Sequence, residues 1–174
     1  MKERMPRIIE TSRFGALTVE DGDAVVFPKG IPGFDDHREW VIAGEDDDPI
    51  KWLQSVHDAD VALPVTPPSV ILDRYAPRFA DEELEEVRLG SDENMMLLVV
   101  LSLPPGAPWD MTANLRAPIV LNHVKRIGKQ IIALNEDYPL KAEVLPEPVR
   151  NALKAKAERP EDAAERAAAE PGGD

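Results

Sequence analysis

The sequence predicts a mainly β fold: a small antiparallel barrel-like domain with one short helix, followed by an Ala/Glu/Pro-rich C-terminal tail. Three observations predict it. Short β-prone runs recur between turn signals along most of the chain. Only one stretch of the domain carries the marks of a helix. Apolar residues make up 43% but aromatics only 5%, so aliphatic side chains must fill the core.

The elements follow in order. Arg7-Ile8-Ile9-Glu10-Thr11 and Ala16-Leu17-Thr18-Val19 flank Arg13-Phe14-Gly15 and read as a hairpin. Asp21-Gly22-Asp23 is a turn before the strand Ala24-Val25-Val26-Phe27. Pro28-Lys29-Gly30-Ile31-Pro32-Gly33-Phe34 is a loop, because its prolines and glycines forbid regular structure. Trp40–Ala43 resumes a strand, and Trp52–Val56 and Val61–Thr66 pair across His57–Asp60. Asp81–Val87 is the helix: its acids crowd the first turn, where the helix dipole favours them, and Gly90 stops it. Met95–Leu103 is a buried strand ended by Pro104-Pro105-Gly106. Ala117–Val124 and Gln130–Leu134 form a last hairpin across Lys125–Lys129. About eight short strands of this kind make a closed or nearly closed barrel or a sandwich.

The composition changes near Pro146. After Leu153 there is no Leu, Ile, Val, Phe, Met, Trp or Tyr. Such a segment buries too little apolar surface to offset its ordering entropy. The domain is therefore read as residues 1–145 and the tail as 146–174, flexible or partly helical. Alanine favours transient helix around Val149–Glu158 and Glu161–Ala169, with Pro160 between them. The tail lacks the apolar anchors of a binding helix and reads as an inert extension.

Several functions are excluded by what the chain contains. Its 174 residues suit one domain. With no cysteine there is no thiol nucleophile, disulfide or thiolate metal site. The longest wholly apolar run, Met95–Leu101, falls far short of the ~20 residues of a membrane span. No apolar stretch of signal-peptide length follows the N-terminus, so a soluble cytoplasmic protein is expected. His37, His57 and His123 lack the paired spacing of metal ligands. No nucleophile elbow, phosphate loop or dinucleotide fingerprint is present. Neither a catalytic set nor a cofactor is expected.

Charge is unevenly placed. The net charge is −13. Glu20–Glu93 carries 20 acids and 6 bases, a net of −14, whereas Met111–Gln130 carries four bases and no acid. This balance repels nucleic acid and suits a basic protein partner. The basic island reads as a charged edge that discourages sheet-to-sheet aggregation.

Thr11-Ser12-Arg13-Phe14-Gly15, then Val26–Phe34, then Ile50-Lys51-Trp52-Leu53-Gln54-Ser55-Val56 stand in a distinctive order. Met111–Asn122, Gly128-Lys129-Gln130 and Tyr138-Pro139-Leu140 follow. In this order they resemble the flagellar assembly factor FliW family over about residues 7–141. Any one motif alone would be weak.

The resemblance implies a small barrel-like fold without catalysis, a monomer when free, and no direct contact with nucleic acid or membrane. It implies two partners. One is flagellin, held through its C-terminal helical region. The other is CsrA, a small dimeric repressor of flagellin translation that is antagonised away from its RNA surface. Newly made flagellin competes for the factor and frees CsrA to repress again.

Two features depart from the family pattern. Pro64 stands inside a strand and should lie at an edge or bulge. The tail lies beyond the family core. Motif position and side-chain type nominate Phe34, Trp52, Asn114 and Arg116 as partner contacts, with Asp46, Asp47 and Asp48 steering. Of the three tryptophans, Trp109 sits in a Pro/Gly loop and is expected to be the most exposed. Trp52 leaves the candidate set if it proves fully buried with its indole N–H satisfied. Two other readings predict different surfaces. A general chaperone for amphipathic secreted helices needs an exposed apolar groove. A small acid-dependent hydrolase needs a pocket with two carboxylates.

Overall fold

A computed structural model describes residues 6–20, 22–90 and 94–158. Strands β1 (Arg7–Thr11) and β2 (Gly15–Val19) form the first hairpin, with Ile9 opposite Leu17. The Thr11 hydroxyl donates to the Gly15 carbonyl and accepts the Phe14 N–H, both at 2.8 Å, which closes the turn. This hairpin stands apart from the main sheet and buries Ile9 and Val19 against Val41.

Seven further strands close on themselves. They are β3 (Ala24–Val26), β4 (Glu39–Ala43), β5 (Lys51–Ser55), β6 (Ala62–Thr66), β7 (Met95–Ser102), β9 (Ile119–Asn122) and β10 (Ile127–Gln130). β3 to β7 pair in sequence, β7 pairs β9, and β9 pairs β10. β10 meets β3 at Ile127 and Val26 and seals the barrel. That seam is parallel; the other pairings are antiparallel. Closure leaves no free edge in the barrel wall, which removes a template for aggregation. β8 (Thr112–Ala113) and β11 (Ala142–Glu143) extend the sheet from the far end of β7.

The barrel interior holds Val25, Phe27, Trp40, Leu53, Val65, Leu98, Ile119 and Leu121. Phe27 and Trp40 meet edge to face at 6.4 Å, and the Trp40 indole N–H donates to the His37 carbonyl at 2.8 Å. Fully burying side chains such as Phe27, Leu53 and Val65 is worth about 1.5–3 kcal/mol each. Gly128 of β10 lies opposite Leu121. A Cβ there would stand 2.5 Å from Leu121 Cδ2 and 2.7 Å from Phe27 Cζ, so any larger residue must displace these two core side chains.

The outer wall is covered too. Helix α1 (Asp81–Glu86) and the residues after it bring Leu84, Val87 and Leu89 against Val120 and Ile131. Residues near Tyr75 and Tyr138 cover Val99, Leu101 and Leu115. With both faces covered, β7 can be an unbroken apolar run rather than an alternating one.

One local expectation changes, and the structure adds detail at three other points. The last hairpin turns earlier than expected: β10 is Ile127–Gln130, not Gln130–Leu134, and the turn is His123–Arg126. Asn122 Oδ1 accepts the N–H groups of Val124 and Lys125, and Arg126 adopts a left-handed φ of 58°. A side-chain clamp therefore sets the turn where charge alone pointed further on. Pro64 lies opposite Trp52, while β7 pairs with β6 only at Val65 and Thr66. Its missing N–H thus falls where β7 has not yet joined, as the edge rule requires. Trp109 is half-buried in a 3-10 turn, Pro108–Asp110, as Trp52 is on β5, while Trp40 is fully buried. Strands β8 and β11 have too few residues for a pattern to announce them.

Residues Glu147–Glu158 form helix α2, with Pro148 in its first turn, where a missing N–H costs nothing. The second helical expectation, Glu161–Ala169, lies outside the described residues. Among the described residues no helix is long and apolar enough to cross a membrane.

Candidate functional site

The β4–β5 connection starts from Gly44 and presents Asp46, Asp47 and Asp48 to solvent. It is braced from within. The Asp48 N–H donates to the Glu45 carbonyl at 3.2 Å, and Asp48 Oδ1 accepts the Ile50 N–H at 2.9 Å. Lys51 Nζ donates to the Glu45 carbonyl. The carboxylates of Asp46 and Asp47 thus stand on a stiff loop, where they can act on an approaching partner.

Trp52 begins just beyond that loop, opposite Ala43 on one side and Pro64 on the other. It is half-buried, and the guanidinium carbon of Arg13 lies 3.6 Å from its ring centroid. Trp52 is therefore part of the surface, not of the core. Register carries the same level of the barrel onward. Lys51 pairs Val65, Val65 pairs Val100, and the Asn114 N–H donates to the Val100 carbonyl. Asn114 thus lies about 14 Å along the wall from Lys51, three strand spacings of ~4.8 Å.

Asn114 and Arg116 are both half-buried. Asn114 Oδ1 accepts the backbone N–H groups of Arg116 (3.1 Å) and Ala117 (2.9 Å) and shapes the entry to β9. Phe34 is not brought to this end. It follows β3, at the end of β4 away from the acidic loop. It packs on the barrel core, edge to face with Trp40 at 6.1 Å and with His37 at 6.0 Å, and caps the interior. The structure therefore groups the Asp46–Asp48 loop with Trp52, sets Asn114 and Arg116 further round the wall, and separates Phe34.

Two cavities among the described residues each carry a single carboxylate. A groove of about 350 Å³ between β2 and β4 contains Asp23 and Arg126. A smaller one, about 140 Å³, lies against Pro28, Gly128 and Glu86. Hydrogen bonds from Lys129 and Lys29 hold the Glu86 carboxyl down to about 2. Lys129 also pairs with Glu83 at 2.5 Å, so the lysines clasp α1 to the barrel. Neither cavity offers the pair of carboxylates that acid-dependent hydrolysis requires.

Sequence reasoning missed two structural ties. Asn122 is buried, and its Nδ2 donates to the carbonyls of Val87 and Arg88. Its place inside an apolar run was the available signal, since a buried amide needs partners. Arg150 of α2 reaches Asp110 and Glu143. No local spacing announces that contact.

The FliW protein family model matches residues 8–144, ending before α2. The flagellar assembly factor FliW of Thermotoga maritima is 38% identical over 135 residues, covering 77% of this chain and 91% of that protein. The one from Thermosipho africanus is 37% identical over 131 residues, covering 75% and 90%. The one from Leptospira interrogans is 33% identical over 138 residues, covering 79% and 92%. A crystal structure of the flagellar assembly factor FliW superposes with a TM-score of 0.74 at 34% identity, covering 81% of this chain and 99% of that one. The closed barrel, the ordered motifs and these similarities agree: the chain belongs to the FliW family of flagellar assembly factors.

Proposed function

We propose that this chain is a non-enzymatic, cytoplasmic regulator that binds flagellin through flagellin's C-terminal helical region and antagonises CsrA. It thereby couples flagellin synthesis to flagellar assembly. The observation that carries the reading is membership of the FliW family across the whole barrel. The surface supports it physically. A net charge of −13 and a braced, exposed Asp46–Asp48 loop favour encounter with a basic RNA-binding protein. Once bound, that acidity lowers the partner's positive potential and so its hold on RNA. Trp52 beside the loop supplies an amphipathic ring for contact.

The experiment is calorimetric titration of the chain with its host's CsrA and then with flagellin, each at two salt concentrations. Binding to both, with one displacing the other and CsrA affinity falling with salt, is the expected result. Binding to flagellin alone would reduce the protein to a dedicated chaperone. Binding to neither, with all proteins folded, would overturn the reading.

A further inference from the structure

Two strand edges open into the groove of about 350 Å³ between β2 and β4. The first belongs to β2, which pairs with β1 and with no other strand among the described residues. Thr11 and Gly15 close the hairpin turn, and hydrogen-bonded pairs alternate from there. Ile9 and Leu17 bond each other, whereas Thr18 turns its amide and carbonyl away from Ile8, to the outer edge. β1 lies on the Ala59 side, where the Ser12 N–H donates to the Ala59 carbonyl, so the edge of β2 is turned toward Asp23 and Arg126. The second edge belongs to β4. The Glu39 carbonyl accepts from Val56 on the β5 side and the Arg38 carbonyl from Phe27 on the β3 side. By the same alternation Ile42 points its backbone groups to the β3 side. β3, however, begins only at Ala24, opposite Val41, so Ile42 faces past its end.

Arg126 is the cation that lines this groove. Its NH2 donates to the Asp23 carbonyl at 2.7 Å, and its buried Nε–H has no hydrogen-bond partner among the described residues. The Asp23 carboxylate does not neutralise it, because that group accepts the Glu20 N–H at 2.8 Å. Lys129, on the same hairpin, pairs with Glu83 and Glu86, whereas Arg126 makes no ion pair among the described residues. A guanidinium with spare donors suits a carboxylate. The floor is apolar: Val41 packs under Ile9 and Val19, and Ala43 shares its face of β4. A helix satisfies its own backbone and would leave both edges unpaired. An extended segment pairs with them, and its alternate side chains reach the floor.

We propose that the groove between β2 and β4 binds an extended segment of a partner protein, which adds a third strand to the β1–β2 hairpin and sets a carboxylate on Arg126. The net charge of −13 repels a long acidic tract, so the segment carries one carboxylate beside small or β-branched apolar residues. The proposal does not depend on flagellin or CsrA, and its test uses neither.

The probes are two capped pentapeptides, Asp-Val-Thr-Val-Thr and its reverse Thr-Val-Thr-Val-Asp, one for each strand direction, and their counterparts with Asn for Asp. Each is titrated into the full chain while nuclear magnetic resonance follows the backbone amides. One aspartate peptide is expected to shift the Thr18 and Ile42 amides saturably, to slow their hydrogen exchange, and to bind at least roughly fivefold more tightly than its Asn counterpart. Arg126→Gln is expected to abolish that preference. Ala43→Trp fills the floor of the groove and is expected to weaken both peptides at least roughly tenfold, a test that stands even where Arg126→Gln misfolds. No saturable shift, shifts that leave Thr18 and Ile42 untouched, a preference that survives Arg126→Gln, or pairing of two copies through β2 that shuts the peptide out each overturns the proposal.

Discussion

Asn122 Nδ2 donates to the Val87 carbonyl at 3.0 Å, so one buried amide ties β9 of the barrel to the residue that ends α1. The same nitrogen reaches the Arg88 carbonyl at 3.1 Å, and Asn122 Oδ1 clamps the β9–β10 turn. Arg88, with φ 58°, is held in a left-handed conformation by the chain reversal this amide serves. Removing the side chain leaves the buried Val87 carbonyl unpaired and frees the turn. Asn122→Ala is expected to cost about 2–3 kcal/mol in urea unfolding. Asn122→Asp keeps the turn acceptor but loses the donor, and is expected to be at least as harmful at neutral pH.

The loop after β3 separates two glycines that sequence alone treats alike. Gly30 and Gly33 both have positive φ, 69° and 92°. A Cβ on Gly33 meets nothing within 4 Å, whereas one on Gly30 stands 2.7 Å from Asp35 Cα, a backbone atom that cannot rotate away. Gly33→Ala is expected to cost only the ~1 kcal/mol of left-handed backbone. Gly30→Ala adds a steric clash and is expected to cost clearly more. Paired thermal melts decide it, and equal costs would refute the close approach.

Acid should loosen the clasp on α1. Lys129 and Lys29 hold the Glu86 carboxyl down to about 2, below its unfolded value. A carboxyl with a lowered folded pKa stabilises the fold fully above its unfolded pKa of ~4.3, and that contribution is lost as pH falls towards the folded value. Glu39, lowered by its bond to Arg7, adds in the same direction. Stability is expected to fall between about pH 4.5 and pH 2. Glu86→Gln should flatten that fall in denaturant titrations. An unchanged slope would show that the clasp does not contribute.

The acidic loop separates rate from stability. Replacing Asp46, Asp47 and Asp48 by Asn keeps an oxygen at position 48 for the Ile50 N–H, so the melting temperature is expected to hold. Association with CsrA is expected to slow by roughly tenfold at low salt, with a smaller change at high salt. Stopped-flow mixing at two ionic strengths measures both.

Trp52 and Arg13 test the proposed contact surface. Arg13→Ala removes an exposed cation–π stack and is expected to cost less than ~1 kcal/mol in stability. Trp52→Ala is expected to weaken partner binding by more than roughly tenfold in calorimetry, while circular dichroism still reports the barrel. Unchanged binding to both flagellin and CsrA would remove Trp52 from the interface.

Local chemistry determined much of this molecule. The turn residues, the β-branched runs, the acidic first turn of α1 and the apolar run of β7 each mark their element within one short window of sequence. The ordered motifs from Thr11 to Leu140 marked the family for the same reason, since each is a contiguous stretch. Tertiary structure decided what depends on residues distant in the chain. The parallel β10–β3 seam joins Ile127 to Val26, and the fork that holds Arg150 joins residues 110 and 143. The division between Trp52 at the acidic end and Phe34 capping the other follows from the direction of β4 within a closed wall. Periodicity reports which face of an element is apolar, but not which distant element will cover it. That is set by closure of the barrel, where seven strands must satisfy one another's hydrogen bonds and fill one interior at once.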